Sequence, residues 1–243
     1  AATIDAPLLA VVGGSTGAGK STLVNSLLRR HVTRPGVRRP TTKSPVLICH
    51  PSDAPWFRSG NVLPELTRTD VELEDTRALH IVEVPSMPEG LALLDAPDVD
   101  SVDDANRTLA RQLLLAADLW LFVTSAARYA DAVPWELLKS AAARELFLGV
   151  VINRCPPGSA QEVGSDLARM LVDEGLGAAP LFAIEETRLE DGMMPDTAVA
   201  PIRGWLGGLT SQQEARVEVV KQSLTGALRQ LDVEVEALRE GVE

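Results

Sequence analysis

The sequence has few cysteines, few aromatic residues and no long apolar run. Its two cysteines, Cys49 and Cys155, lie far apart in a chain of 243 residues, which excludes a disulfide framework and a cysteine-based zinc site. No apolar run approaches the roughly 20 residues that cross a bilayer. The first residues also lack the basic segment of a secretory signal. These absences predict a cytoplasmic protein.

Positive charge is scarce as well. The net charge is −11, and an acidic protein binds nucleic acid and anionic lipid poorly, so we expect no nucleic-acid partner. Residues 29–43 depart from this balance, because they carry six lysines and arginines and no acid. A helix end followed by a solvated loop would explain them, and a role beside an anionic ligand is the alternative.

Short apolar segments alternate with helical patterns along most of the chain. LLAVV (8–12), LALL (91–94) and LWLFVT (119–124) predict buried strands, and amphipathic patterns between such segments predict helices. This alternation predicts an α/β fold in which helices cover both faces of a mostly parallel sheet.

A different pattern begins near residue 209. Ser211 and Glu214 fit a capping box, and apolar residues then keep a 3-4 spacing for about three heptads. We therefore divide the chain into an α/β domain over 1–208 and a long C-terminal helix over 209–243. That helix packs on the same domain or belongs to a helical bundle completed by sequence outside this chain.

The most specific motif is GSTGAGKS at residues 14–21, which fits G-x-x-x-x-G-K-[ST] between a predicted strand and a predicted helix. Its glycines let successive backbone N–H groups turn around a polyphosphate, and the next helix directs its positive end at the same anion. Lys20 supplies a cation for the β- and γ-phosphates, and Ser21 a hydroxyl for Mg²⁺. The motif predicts a three-layer P-loop NTPase. The expected nucleotide contacts are Gly14, Ser15, Thr16, Gly17, Ala18, Gly19, Lys20, Ser21 and Thr22.

Two further groups fit a Mg²⁺ site. Asp95 directly follows an apolar strand pattern, the position from which P-loop enzymes hold Mg²⁺, and we expect it to act through a water molecule. In GTPases a threonine before the second strand completes the coordination. Thr42 is the favoured candidate here, Thr41 the second and Thr33 a distant third.

The segments GGSTGAGKSTLVNSL, RRPTTKSPV, LLDAPDVDS and VVINRCP resemble the first four motifs of the TrmE–Era–dynamin-like branch of P-loop GTPases. The closest likeness is to bacterial dynamin-like GTPases, and it covers about residues 7–190. The resemblance implies GTP and GDP as ligands with Mg²⁺, GTP hydrolysis coupled to movement of the adjoining helices, and a nucleotide-dependent homodimer through the G domain. Membrane association, peripheral and through sequence outside this chain, is implied by the likeness alone.

Two positions depart from the family pattern. The third motif ends in glycine in the family, where its N–H contacts the γ-phosphate, and here Asp98 stands in that place. We expect Asp98 to face away from the phosphates, or the contact to be lost, because a carboxylate repels that oxygen. The fourth motif has Pro156 where an aspartate reads guanine.

The residues themselves therefore leave the choice of base open. The resemblance implies that Asn153 braces the loop and touches the purine, and that Arg154 lies over the ring. A site without a buried bidentate acceptor loses most of its discrimination. Glu185 or Glu186 is a candidate contact to the base, and Asp166 lies too far along the next helix.

Arg38 and Arg39 give the basic segment a candidate role. Each precedes a threonine, Thr41 or Thr42, by three residues, a spacing that resembles the cis arginine of heterotrimeric G-protein α subunits. We hypothesise that one of them stabilises transition-state charge, in cis or across a nucleotide-dependent dimer. Besides a dynamin-like GTPase, two functions stay open: an ATP-using P-loop protein, and a nucleotide-binding scaffold with little turnover.

Overall fold

The structure is a computed structural model that describes residues 6–33, 44–73, 75, 77–99, 104–144 and 146–211, together with residues 218, 219, 221, 222, 225 and 229. The strands are β1 (Leu8–Gly14), β2 (Val46–Cys49), β3 (Thr67–Thr69), β4 (Ala78–Glu83), β5 (Leu91–Asp95), β6 (Leu119–Ser125), β7 (Phe147–Cys155) and β8 (Leu181–Glu185). The helices are α1 (Lys20–Leu28), α2 (Ala54–Arg58), α3 (Asp104–Ala116), α4 (Ala132–Ala143), α5 (Ala160–Asp173) and α6 (Asp196–Ser211).

The eight strands form one sheet in the order β3-β4-β2-β5-β1-β6-β7-β8. The strands from β5 to β8 along this order run parallel to one another, and β3, β4 and β2 form a second parallel group. The two groups meet at the antiparallel pair β2 and β5. This arrangement confirms the predicted α/β fold with a mostly parallel sheet.

Two apolar cores, one on each face of the sheet, explain the continuous apolar character of the central strands. In β1, Leu9 and Val11 point to the face covered by α2, α3, α4 and α5, while Leu8, Ala10 and Val12 point to the face covered by α1 and α6. A strand buried on both faces needs apolar side chains at every position. The fold therefore has three layers.

The region 51–78 is polar and interrupted by prolines, a pattern that predicts no clear element, and it contains the short helix α2 and the edge strand β3. Helix α6 was not predicted either, because Pro201 and its glycines disfavour a helix in isolation. Its buried residues Val199, Ile202 and Leu206 pack on the sheet, and this packing outweighs the weak propensity.

The beginning of the expected C-terminal helix differs from the prediction. Ser211 lies in the last turn of α6, where its hydroxyl donates to the Gly208 carbonyl at 3.4 Å, so it does not start a helix. Helix α6 also crosses the division at residue 208, and Leu209 is buried in the core. The six described residues beyond 211 are helical, and the division into two domains stays a prediction. Among the described helices, none is long and apolar enough to span a membrane.

One close approach joins α6 to the sheet. Trp205 stacks on Phe147 with ring centroids 6.3 Å apart and lies 5.7 Å from the ring of Phe182. A Cβ atom placed on Gly149 would lie 2.5 Å from the Trp205 ring. The absence of a side chain at Gly149 therefore makes room for this tryptophan.

We predict opposite effects for two glycine-to-alanine changes. Gly149→Ala should lower the free energy of unfolding by about 1–3 kcal/mol because it overpacks the core. Gly204→Ala, on the exposed side of α6 with open space around it, should raise it by about 0.5–1 kcal/mol. Urea denaturation measures both. An unchanged midpoint for Gly149→Ala would show that Trp205 does not pack on β7.

Candidate functional site

The candidate site lies at the carboxyl ends of β1, β5 and β7, where parallel strands bring their following loops together. Strand β1 leads into the loop 15–19, β5 ends at Asp95, and β7 carries Asn153 near its end. In open α/β sheets, ligands bind at this edge. The sheet therefore unites three segments that are far apart in sequence.

The glycine loop has the curled backbone that the motif requires. Gly14 has φ 142°, and a Cβ atom there would lie 1.9 Å from the Val123 carbonyl oxygen of β6, so no larger residue fits. The Ser15 N–H donates to that same carbonyl at 3.1 Å. Gly19, with φ 90°, precedes α1 and has no side chain that could cap the first N–H groups of the helix. The first N–H groups of α1 thus form a positive end suited to an anion.

Lys20 folds back over this loop. Its Nζ donates to the carbonyl oxygens of Gly14 at 3.1 Å and Ser15 at 2.9 Å, and its side chain is only 6% exposed. A buried ammonium group needs anionic or carbonyl partners to offset its lost hydration. The geometry therefore places a desolvated positive charge in the loop predicted to bind phosphate.

Asp98 lies in this loop as well, which corrects the expectation that it faces away. Its Oδ1 accepts from Lys20 Nζ at 2.5 Å, and its Oδ2 accepts from the Thr16 hydroxyl at 2.9 Å. The Val99 N–H donates to the Gly14 carbonyl at 3.3 Å and holds the following backbone against the loop. The attraction of a buried cation explains this orientation, since the carboxylate supplies a counter-charge for Lys20.

Ser21 and Asp95, two of the residues predicted to hold Mg²⁺, lie together beside Lys20. Asp95 ends β5 and is buried, and its Oδ1 has no hydrogen-bond partner in the part of the chain that the structure describes. Burial raises the pKa of Asp95 to about 6, while hydrogen bonds from the Ser21 and Thr33 hydroxyls and the charge of Lys20 lower it in part. A buried carboxylate with an unsatisfied oxygen is a group that a cation would stabilise.

Thr33 is the one candidate switch threonine within the described residues. It is buried, and its backbone N–H and hydroxyl both donate to Asn25 Oδ1. These hydrogen bonds fix the segment after α1. Thr41 and Thr42 lie outside the described residues, as do Arg38 and Arg39. The preference for Thr42 as a metal ligand and the arginine hypothesis therefore stay predictions.

The residues present fit a magnesium ion that is shared with a nucleotide. The described residues contain no group of three His, Cys, Asp or Glu side chains that could hold a metal alone. Ser21 would offer its hydroxyl to the ion and Asp95 its carboxylate through a water molecule, and the other ligands would come from phosphate oxygens, water and residues such as Thr42. This is the pattern of Mg²⁺ in nucleotide sites, where it keeps few protein ligands.

Asn153 braces the glycine loop from the end of β7. Its Nδ2 donates to the Ala18 carbonyl at 2.8 Å, and its Oδ1 accepts from the Arg154 N–H at 2.9 Å. Arg154 adopts φ 56°, a left-handed conformation in which this turn projects an exposed side chain. The bracing part of the role assigned to Asn153 thus has a geometric basis, and contact of either residue with a purine stays a prediction.

Two of the three carboxylates considered for base recognition, those of Glu185 and Asp166, already have other contacts. Glu185 Oε1 accepts from the Gly158 N–H at 2.9 Å, so it shapes the loop after β7. Glu186 is exposed, and its backbone N–H donates to the Cys155 carbonyl at 2.7 Å. Asp166 accepts from the Tyr129 hydroxyl at 2.8 Å and from Arg169. These contacts give Asp166 a structural role on α5.

Sequence reasoning missed Arg128 and Thr124. Arg128, in the turn after β6, donates to the Thr16 carbonyl at 3.2 Å and to Asp131 at 2.8 Å. The Thr124 hydroxyl lies 3.4 Å from that of Ser15. Both residues support the glycine loop from the neighbouring strand. No single-sequence pattern marks them, because their importance arises only from the pairing of β6 with β1.

Comparison with solved structures relates this fold to P-loop GTPases. Era in complex with MgGDPNP and a segment of 16S ribosomal RNA is 19% identical with a TM-score of 0.54, over 84% of this chain and 57% of Era. A bacterial dynamin pair proposed to sense and tether membranes is 12% identical with a TM-score of 0.59, over 98% of this chain and 44% of that chain. Toc33 from Arabidopsis thaliana, in complex with Mg²⁺ and GMPPNP, is 15% identical with a TM-score of 0.51, over 88% of this chain and 84% of the Toc33 chain.

No protein-family model and no curated protein sequence matches the chain. The chain spans less than two thirds of the length of the Era and dynamin chains that it resembles. The structural likeness confirms the predicted α/β fold, which resembles the folds of the Era, dynamin and Toc33 structures.

We predict that Asp95→Asn stabilises the nucleotide-free protein. The folded-state pKa of Asp95 lies above its ordinary value of 3.8. Protonated Asp95 therefore contributes fully to the free energy of unfolding below pH 3.8, and this contribution is lost as the pH rises through about 6. Near pH 7 the ionised, buried carboxylate destabilises the fold. Replacing it by a neutral amide should raise the free energy of unfolding by up to about 3 kcal/mol.

Chemical denaturation near pH 7 and near pH 4 measures this effect, and the gain should shrink at the lower pH. Asp173→Asn, an exposed change on α5, is the control and should show no gain. A loss of stability for Asp95→Asn at both pH values would contradict the burial of an ionised Asp95.

Proposed function

We propose that the chain binds GTP with Mg²⁺ in its glycine loop and hydrolyses it to GDP and phosphate, and that the nucleotide state moves the adjoining helices. The orientation of Lys20 carries this proposal. A buried ammonium group inside a curled glycine loop, at the positive end of α1, provides the charge and the N–H groups that a polyphosphate requires.

The metal part of the proposal is supported by the unsatisfied Oδ1 of Asp95. Ser21, Asp95 and Thr42 would hold Mg²⁺, which neutralises charge on the phosphates when it is bound. The chain's own groups would do the rest. The amides of the loop and Lys20 would fix the phosphates, and the Thr42 carbonyl would orient the attacking water.

Guanine is supported by one observation, since the Era and Toc33 structures contain guanine nucleotides. Asn153 braces the loop, and its contact with the purine is what the resemblance implies. Pro156 supplies no acceptor for the guanine N1–H and amino group, so an adenine nucleotide is the alternative ligand that a binding experiment must include. A G-domain homodimer and a peripheral membrane association stay predictions from the resemblance, and a cytoplasmic location stays a prediction from the sequence.

A second function, nucleotide binding with little turnover, is favoured by the contact between Lys20 and Asp98. A lysine that remains paired with a carboxylate contributes less to the charge that develops during phosphoryl transfer. Phosphate release at saturating nucleotide separates this function from a GTPase, with Lys20→Ala as the blank.

We predict that Lys20→Ala weakens binding of Mg²⁺-GDP and Mg²⁺-GMPPNP at least about tenfold, because the removed charge is desolvated and faces the phosphates. Calorimetric titration measures the dissociation constants, and parallel titrations with ADP and AMPPNP should give weaker binding. The control is Lys139→Ala, which removes an exposed lysine that pairs with Glu174. Equal affinity of wild type and Lys20→Ala would overturn the proposed phosphate site.

We predict that Arg38→Ala or Arg39→Ala slows phosphate release without weakening nucleotide binding to the same degree. A positioned arginine is worth about 10³-fold or more in comparable enzymes, so a fall of at least tenfold is expected for the residue that acts. Arg77→Ala, which removes an exposed arginine paired with Asp75, is the control. Wild-type turnover in both variants would remove the arginine hypothesis.

A further inference from the structure

Asp98 occupies an unusual place in the candidate site. The third motif of the resembled family has glycine at this position, and the N–H of that glycine contacts the terminal phosphate. In this chain, both carboxylate oxygens of Asp98 are held inside the glycine loop, one by Lys20 and the other by the Thr16 hydroxyl. The side chain remains 32% exposed, so it is open to exchange with an anion from solution.

The partners of Asp98 are those expected for a phosphate. A cationic ammonium and a hydroxyl that both donate to one anionic group form a small anion-binding site. The expected ligand of Lys20 in this motif is the oxygen atoms of the β- and γ-phosphates. The carboxylate therefore takes the place that a phosphate oxygen would take on Lys20.

The backbone limits how far Asp98 can withdraw. The neighbouring Val99 N–H is bonded to the Gly14 carbonyl at 3.3 Å, and Ala96 on the other side is bonded to the Val12 carbonyl at 3.1 Å. Rotation of the Asp98 side chain would break its contact with Lys20, but the Cα atom of Asp98 would stay beside the glycine loop. Asp95 adds a second carboxylate near the same lysine, but the proposed Mg²⁺ would offset its charge, so the repulsion that a further anionic group meets here comes from Asp98.

We propose that Asp98 is a specificity-determining residue that makes this site discriminate between nucleoside diphosphates and triphosphates. This inference rests on the proposed nucleotide site. A diphosphate draws Lys20 to its β-phosphate and has no terminal phosphate to place beside Asp98. A triphosphate also draws on Lys20, and its terminal phosphate must in addition remain close to a tethered negative charge. The wild-type protein therefore favours the diphosphate.

A purely structural role for Asp98 makes a different prediction. If the ion pair only stabilised the loop, removing it would change the affinities for the two nucleotides by the same factor. A role in discrimination changes the ratio of the two affinities. That ratio, rather than either affinity alone, is the quantity that separates the two explanations.

The test is calorimetric titration of the whole chain with GDP and GMPPNP in the presence of Mg²⁺. The variants are Asp98→Gly, which restores the residue of the family pattern, and Asp98→Asn, which keeps the shape of the side chain and removes its charge. Asp173→Asn on α5 is the charge-matched control. We expect the ratio Kd(GMPPNP)/Kd(GDP) to fall at least about tenfold in Asp98→Gly, less in Asp98→Asn, and not at all in Asp173→Asn.

The possible outcomes are distinguishable. An unchanged ratio in both Asp98 variants, with binding retained, overturns the discrimination while the nucleotide site stands. A higher ratio in Asp98→Asn also overturns it, because Asp98 would then support the triphosphate. Failure of wild type and folded variants to bind either nucleotide, or ADP and AMPPNP, refutes the proposed function itself. If Asp98→Gly does not fold, Asp98→Asn alone decides the result.

Discussion

The structure depends on one buried positive charge. Lys20 is 6% exposed, and its ammonium group lies among the carbonyl oxygens of Gly14 and Ser15. Two neutral carbonyl groups offset only part of the hydration that a cation loses on burial, so a full negative charge is required nearby. Asp98 supplies that charge in this structure. We interpret the loop as a site of anion exchange, in which phosphate and Asp98 compete for Lys20.

The same site also contains a buried negative charge, the carboxylate of Asp95. This carboxylate is buried with an unsatisfied oxygen, and burial raises its pKa to about 6. A nucleotide with Mg²⁺ would resolve both problems together, since phosphate would partner Lys20 and the cation would partner Asp95. Residues that destabilise the protein without a ligand, and that a ligand would partner, are typical of functional sites. The free energy of ligand binding offsets the loss of stability that they cause.

The sequence predicted the parts of the fold that have local causes. The glycine loop, the buried strands and the positions of Ser21 and Asp95 follow from spacing and apolar runs, and the structure agrees. It did not predict the direction of Asp98, since a motif cannot show which charges a side chain will meet in three dimensions. Helix α6 was missed because its stability comes from packing of residues such as Ile202 against the sheet and its composition disfavours a helix. Arg128 was missed because only the pairing of β6 with β1 brings it to Thr16.

The exchange of partners at Lys20 can be observed directly. The measurement is a crystal structure of the chain with Mg²⁺ and GMPPNP, in which we expect Lys20 Nζ to contact phosphate oxygens and the Asp98 carboxylate to have left it. We also expect a magnesium ion beside Ser21 and Asp95. A complex in which nucleotide binds elsewhere, while Lys20 remains paired with Asp98, would refute the exchange.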